Sequence, residues 1–144
     1  MSTERMVAEL PKARDVGAKR NAKGYRESWR GYKLHIDAAD GDVPVSCILT
    51  SASPHDSQAA IPLARMTAER VDHRHGLMDA VCDSREIGAH ARMAGRVAII
   101  DANPRRDAAQ GGPRPPRPRA PPAAPGVERV NSALRDSYGQ WHFF

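Results

Sequence analysis

Gly31-Tyr32-Lys33-Leu34-His35-Ile36-Asp37, then Asp40-Gly41-Asp42, then Val43-Pro44-Val45-Ser46-Cys47-Ile48-Leu49-Thr50 is the stretch whose reading decides the fold. Residues 32–37 alternate large apolar and polar groups, the two-residue period of a half-buried strand. Asp40-Gly41 supplies turn chemistry, and residues 43–50 read as a returning strand. Pro44, near the start of that strand, fits an edge or first position, where no ladder N–H is needed. The stretch therefore predicts a β-hairpin, with His35 on its polar surface side.

Outward from the hairpin toward the C-terminus, residues 51–56 form a loop, and Asp56 or Ser57 can cap a helix. Ala59, Ala60, Leu63, Ala64, Met66, Thr67 and Val71 then recur at helical spacing, with Pro62 in the first turns, where it costs least. His73-Arg74-His75-Gly76 breaks that helix. Leu77-Met78-Asp79-Ala80-Val81 predicts a short buried strand interrupted by one acid. Asp83 or Ser84 starts a second helix, with Ile87, His90, Ala91 and Ala94 on one face and Gly95 at its end. Arg96 to Asp101 predicts a further strand. The order β-β-α-β-α-β predicts a layered α/β domain whose later strands are parallel.

Residues 1–30 show no sustained period and read as a basic arm with a helical turn at Glu4 to Leu10. Residues 1–35 carry nine Lys and Arg against four acids. That excess suits either a polyanion such as nucleic acid or a merely solvated arm. At the other end, seven prolines lie between Pro113 and Pro125, interleaved with Arg114, Arg117 and Arg119. Such a segment, residues 105–126, cannot pack a core and reads as a linker, with an SH3-type ligand as the alternative. Val127, Val130 and Leu134 then make an i, i+3, i+7 stripe, so residues 127–139 hold a helix. Residues 140–144 form a divergent tail.

The chain has 144 residues, enough for one small domain. Apolar runs such as Val97 to Ile100 fall far short of the roughly 18 residues of a membrane helix, so no membrane partner is expected. Charges at Glu4, Arg5 and Glu9 are unlike a secretory signal. Cys47 and Cys82 give neither a disulfide framework nor a metal-binding pair, which points to the cytoplasm.

Acids at the ends of strands are where chemistry can sit. Asp37, Asp79 and Asp101 each close or interrupt a predicted strand. Such carboxylates either hold a hard cation or cap the next helix. His73 and His75 lack a third ligand at suitable spacing for zinc. Ser51, Ser53 and Ser57 have no Gly-x-Ser-x-Gly setting, and Gly111-Gly112 precedes prolines rather than a helix. Serine hydrolysis and a phosphate-cradling loop are thus unsupported.

The blocks at residues 31–37, 48–53 and 55–63, followed by Leu77-Met78-Asp79-Ala80-Val81-Cys82-Asp83-Ser84-Arg85-Glu86-Ile87, resemble the DDE transposases of bacterial insertion sequences. Residues 97–106 and Val127-Glu128-Arg129-Val130-Asn131-Ser132-Ala133-Leu134 continue the resemblance in the same order. It implies a partial RNase H-like core over residues 31–104, truncated at both ends. It makes Asp79 the second and Glu128 the third carboxylate of a Mg²⁺-binding catalytic triad. The reaction implied is phosphodiester cleavage and strand transfer on terminal inverted repeats and target DNA. Lys19, Arg20, Lys23, Lys33, Arg129 and Arg135 become the expected DNA contacts. Assembly with a second copy or with a full-length transposase is the expected protein partnership.

The departures from that pattern carry their own expectation. The family's first catalytic Asp lies on a strand before the Gly31–Asp37 strand, and no matching motif precedes residue 31. Cys82 stands where a Tyr is usual, and Pro121 and Ala124 stand where Tyr and Arg precede the Glu. The expectation is a fragment inactive alone, or a non-catalytic basic DNA-binding protein that inhibits or modulates a full-length transposase.

Overall fold

The computed structural model describes residues 1–20, 23–100, 129, 130 and 133. Its first unit is an antiparallel sheet of β1 (Asp15–Arg20), β2 (Arg26–Ala39) and β3 (Val43–Ser51), in that spatial order. The expected hairpin is β2–β3, and β2 is longer than its alternation indicated. β1 pairs with Arg26–Gly31, and β3 pairs with Tyr32–Ala39, so β2 changes partner at the Gly31/Tyr32 junction. Gly41 (φ 84°) and Asp42 (φ 63°) make the tight turn, a conformation that Gly adopts freely and Asp tolerates.

The register slips between Asp37, opposite Ser46, and Ala38, opposite Pro44, leaving Val45 as an extra residue in β3. Arg70 donates to the Val45 carbonyl at 2.6 Å, supplying a partner at the irregularity.

Residues 1–30, read as an arm, contain helix α1 (Thr3–Glu9), β1 and the start of β2. The turn expected at Glu4 to Leu10 is α1, and Ser2 Oγ caps it by accepting from Arg5 N at 3.3 Å. β1 escaped the sequence reading because Asp15-Val-Gly-Ala-Lys-Arg has no apolar alternation. Its pairing is visible only in the register with β2.

The alternation of β2 has the opposite sense to the expected one. Lys33 and His35 are 8% and 6% exposed, together with Ser46, Ile48 and Thr50 of β3 on the same face. Tyr32 and Leu49, on the apolar side, are 41% and 49% exposed. Helix α2 (Ser57–Ala68) explains the inversion, because it lies against the polar face and meets it with hydrogen bonds. Thr67 Oγ1 reaches Asp37 Oδ2 at 2.6 Å and Ser46 Oγ at 2.5 Å. Ala59 and Pro62 fill the remainder of the contact as buried residues of α2.

The second unit is a parallel pair, β4 (His75–Met78) with β5 (Val97–Ile100). A short 3₁₀ turn (Ala80–Cys82) and helix α3 (Arg85–Met93) make the crossover that parallel strands require. Ser84 caps α3 by accepting from Ile87 N at 3.1 Å, and Gly95 (φ 68°) follows its end. The two later strands are parallel, as the pattern predicted. β4 nevertheless ends at Met78, before the acid expected inside it. Asp79 instead starts the 3₁₀ turn, accepting from Val81 N at 3.1 Å through its side chain, and it is exposed. The architecture is mixed α/β.

Asp101, the Pro/Arg linker 105–126, Glu128 and Arg135 lie outside the described residues. Arg129, Val130 and Ala133 are helical, in keeping with the expected helix at those three positions. Val130 is 4% exposed, and Arg129 Nε pairs with Asp42 Oδ2 at 2.7 Å. Among the described residues no helix is long and apolar enough to cross a membrane.

Candidate functional site

The charged residues of the first sheet sort into a buried network and an exposed ribbon. Lys33 was expected on DNA, but its Nζ donates to the Pro54 carbonyl at 2.8 Å and to Asp56 Oδ1 at 3.0 Å. A buried ammonium must satisfy its protons, and this one does so inside the protein. Asp56 precedes α2 in the cap position without a side-chain cap bond, because its carboxylate is turned to Lys33.

His35 was expected on the surface and is buried beside that pair. Its Nε2 lies 3.0 Å from Thr50 Oγ1, whose hydroxyl donates to the Ser51 carbonyl at 2.9 Å. That leaves Nε2 as the donor of the pair. Burial lowers the His35 pKa, Asp56 partly opposes the shift, and Lys33 adds to it. Burial thus disfavours the charged form of the ring.

The loop 51–56 links this network to two further acids. Asp15, the first residue of β1, is bonded to Ser53 and accepts from Val16 N at 2.6 Å. The Ser53 bond, then the Val16 N–H, hold its carboxyl below the usual range, and Arg30 adds to the effect. Cys82 lies within charge range of Asp56 at the end of that loop. Burial first, then the charge of Asp79 and a hydrogen bond to it, push the thiol up to about 12, with Asp56 contributing. A thiol so held stays protonated and is a poor nucleophile. Asp15 thus meets the loop at Ser53, while Asp56 and Asp79 share the neighbourhood of Cys82.

Carboxylates so placed can attract a cation, but they do not make a metal site by themselves. Among the described residues no three His, Cys, Asp or Glu side chains come together to hold a metal ion. Of the expected pair, Asp79 alone is described. His75 opens β4 and is exposed, and His73 Nδ1 lies 3.4 Å from the Val71 carbonyl.

The other expected DNA contacts stand as follows. Lys19 and Arg20 are exposed on β1, and Lys23 is exposed in the connection to β2. Arg129 is exposed and carries the Asp42 ion pair. Arg26 and Arg30 were not among the expected DNA contacts, and Asp15 lies outside any motif for the first catalytic acid. Only the β1–β2 register reveals which face of a strand each occupies. No protein-family model, no curated protein and no solved structure matches the chain.

Proposed function

We propose that the chain is a DDE-type transposase domain of RNase H-like architecture, a family that holds DNA and cuts and joins it with Mg²⁺. The observation that carries this reading is the position of Asp79. It stands exposed, directly after the first strand of a parallel pair that follows an antiparallel hairpin sheet. Asp15 opens β1 ahead of the Gly31–Asp37 stretch but sits in no motif of the kind the resemblance has for the first acid, so the first acid of the triad stays unassigned. Glu128 remains the candidate for the third.

The chain alone is proposed to bind and not to cut, because no motif for the first catalytic acid precedes residue 31, and Cys82, Pro121 and Ala124 replace the residue types usual around the second and third acids. A second reading, a non-catalytic DNA-binding protein that modulates a full-length transposase by mixed assembly, is favoured by the exposed basic residues of β1 and β2.

Titration of the purified chain with Mn²⁺, followed by the broadening of amide signals, separates the two. The transposase reading expects broadening to begin around Asp79 to Ser84 and to vanish in Asp79→Ala. No broadening there leaves the second reading. Mg²⁺-dependent nicking of supercoiled plasmid, lost in Asp79→Ala, would overturn the view that the chain alone is inert.

A further inference from the structure

We infer that the outer face of the β1–β2 ribbon docks on the phosphate backbone of duplex DNA through Arg20, Arg26 and Arg30; this deepens the DNA reading above and rests on it. Residues directly paired in an antiparallel ladder point to the same face, and faces alternate along each strand. The pairs Arg20↔Arg26, Ala18↔Ser28 and Val16↔Arg30 therefore share one face. Lys19↔Glu27, Gly17↔Trp29 and Asp15↔Gly31 share the other.

The second face is the inner one. A Cβ on Gly17 would come within 2.7 Å of the Ala52 carbonyl oxygen, and Asp15 on that face bonds to Ser53. The first face points away from that loop, and its three arginines are exposed. Both acids of the ribbon, Asp15 and Glu27, fall on the inner face. The outer face is thus purely basic.

Its charge placement runs against stability. Arg20 and Arg26 are directly cross-strand, and like charges in that arrangement repel. A face that is only solvated gains nothing from two opposed guanidiniums, whereas a polyanion neutralises both. Arg20 Nη1 donates to the Gly24 carbonyl at 3.3 Å, which steadies the guanidinium and leaves its other N–H groups for a phosphate.

Shape agrees with charge. β3 pairs with β2 only from Tyr32 onward, so β3 does not extend alongside this part of β2. A two-stranded ribbon is an element that the major groove of duplex DNA admits. Arg26 and Arg30 are four residues apart along β2, about 13 Å, a reach that spans several phosphates of a duplex. Ala18 and Ser28 between them are small and let a backbone approach.

The test is fluorescence anisotropy with a labelled mixed-sequence duplex over a range of salt, on the full chain. Arg20→Ala/Arg26→Ala/Arg30→Ala should lower the log–log salt slope by about 2.7, or about 0.9 per phosphate contact. Arg74→Ala/Arg85→Ala/Arg92→Ala removes equal charge from exposed positions on or near β4 and α3 and should lower it by less than half as much. Arg20→Ala/Arg26→Ala should lose about 1.8 of slope while raising the Tm, because the repulsion across the ladder is relieved.

An unchanged slope in the ribbon variants, or an equal loss in the control, overturns the inference and leaves the DNA reading standing. A loss on single-stranded DNA that matches the loss on duplex overturns the duplex assignment. Failure of the unmodified chain to bind duplex at any salt overturns both the inference and the reading beneath it.

Discussion

At Lys33 the cost of burying an ammonium decides what the residue can do. Its Nζ is committed to Pro54 and Asp56, so removing it strands a carbonyl and a carboxylate. Lys33→Ala should destabilise the fold by about 3 kcal/mol, the lower end for breaking a buried pair, since Asp56 keeps some exposure. The midpoint of a urea titration measures it.

His35 makes the neighbouring case for pH. Its folded pKa lies below the unfolded value, so between the two the unfolded chain binds more protons. Stability should therefore fall as pH drops through about 6.5 toward the lower folded value. His35→Gln should flatten that decline in a series of denaturation curves. It should not abolish it, because burial and the charges of Arg65 and Arg96 lower His90 in the same sense. The sequence showed the period of this strand but not its sense. A two-residue alternation fixes which residues share a face, and the polar set went inward because Thr50, Thr67 and Asp56 supply partners from later in the chain.

Among the elements, β1 is the one with least support in its own sequence. Its centre, Gly17, lies under the ring of Trp29 from the partner strand, an aromatic covering a glycine. Gly17→Ala should cost about 1–3 kcal/mol through overpacking, because the Ala52 carbonyl is backbone and gives way poorly. Thermal unfolding of the variant checks this. Helix α3 is the contrasting case, written openly in its sequence. Ser84 caps it and Gly95 closes it, so Ser84→Ala should cost about 1 kcal/mol, read from the same experiment. The two helices, the hairpin and the parallel pair were legible because their signals are local. β1 was not, since its evidence is a register with residues farther along the chain.

Over the whole molecule, α2 joins the parts. It packs against β2 and β3 of the first sheet and against α3 and the 3₁₀ turn beside the second. Thr67, 4% exposed, ties α2 to the first sheet through bonds to Asp37 and Ser46. Thr67→Val should cost about 1–3 kcal/mol by stranding both partners. Hydrogen exchange should then quicken in β4 and β5 as well as in β2 and β3; quickening confined to the first sheet would show that the units unfold independently. The candidate site follows the same division of legibility. Asp79 was found from its interruption of an apolar run, although it proved to begin a turn. The arginine face needed the ladder.

The change of partner along β2 has a consequence for how this protein tolerates editing. Because β3 pairs only from Tyr32 onward, the far end of the ribbon can be trimmed one ladder rung at a time without altering the hairpin behind it. The first rung lost is Arg20↔Arg26, whereas Arg30 sits one residue from the junction with the hairpin, so shortening removes two of the arginines early and spares the third almost to the end.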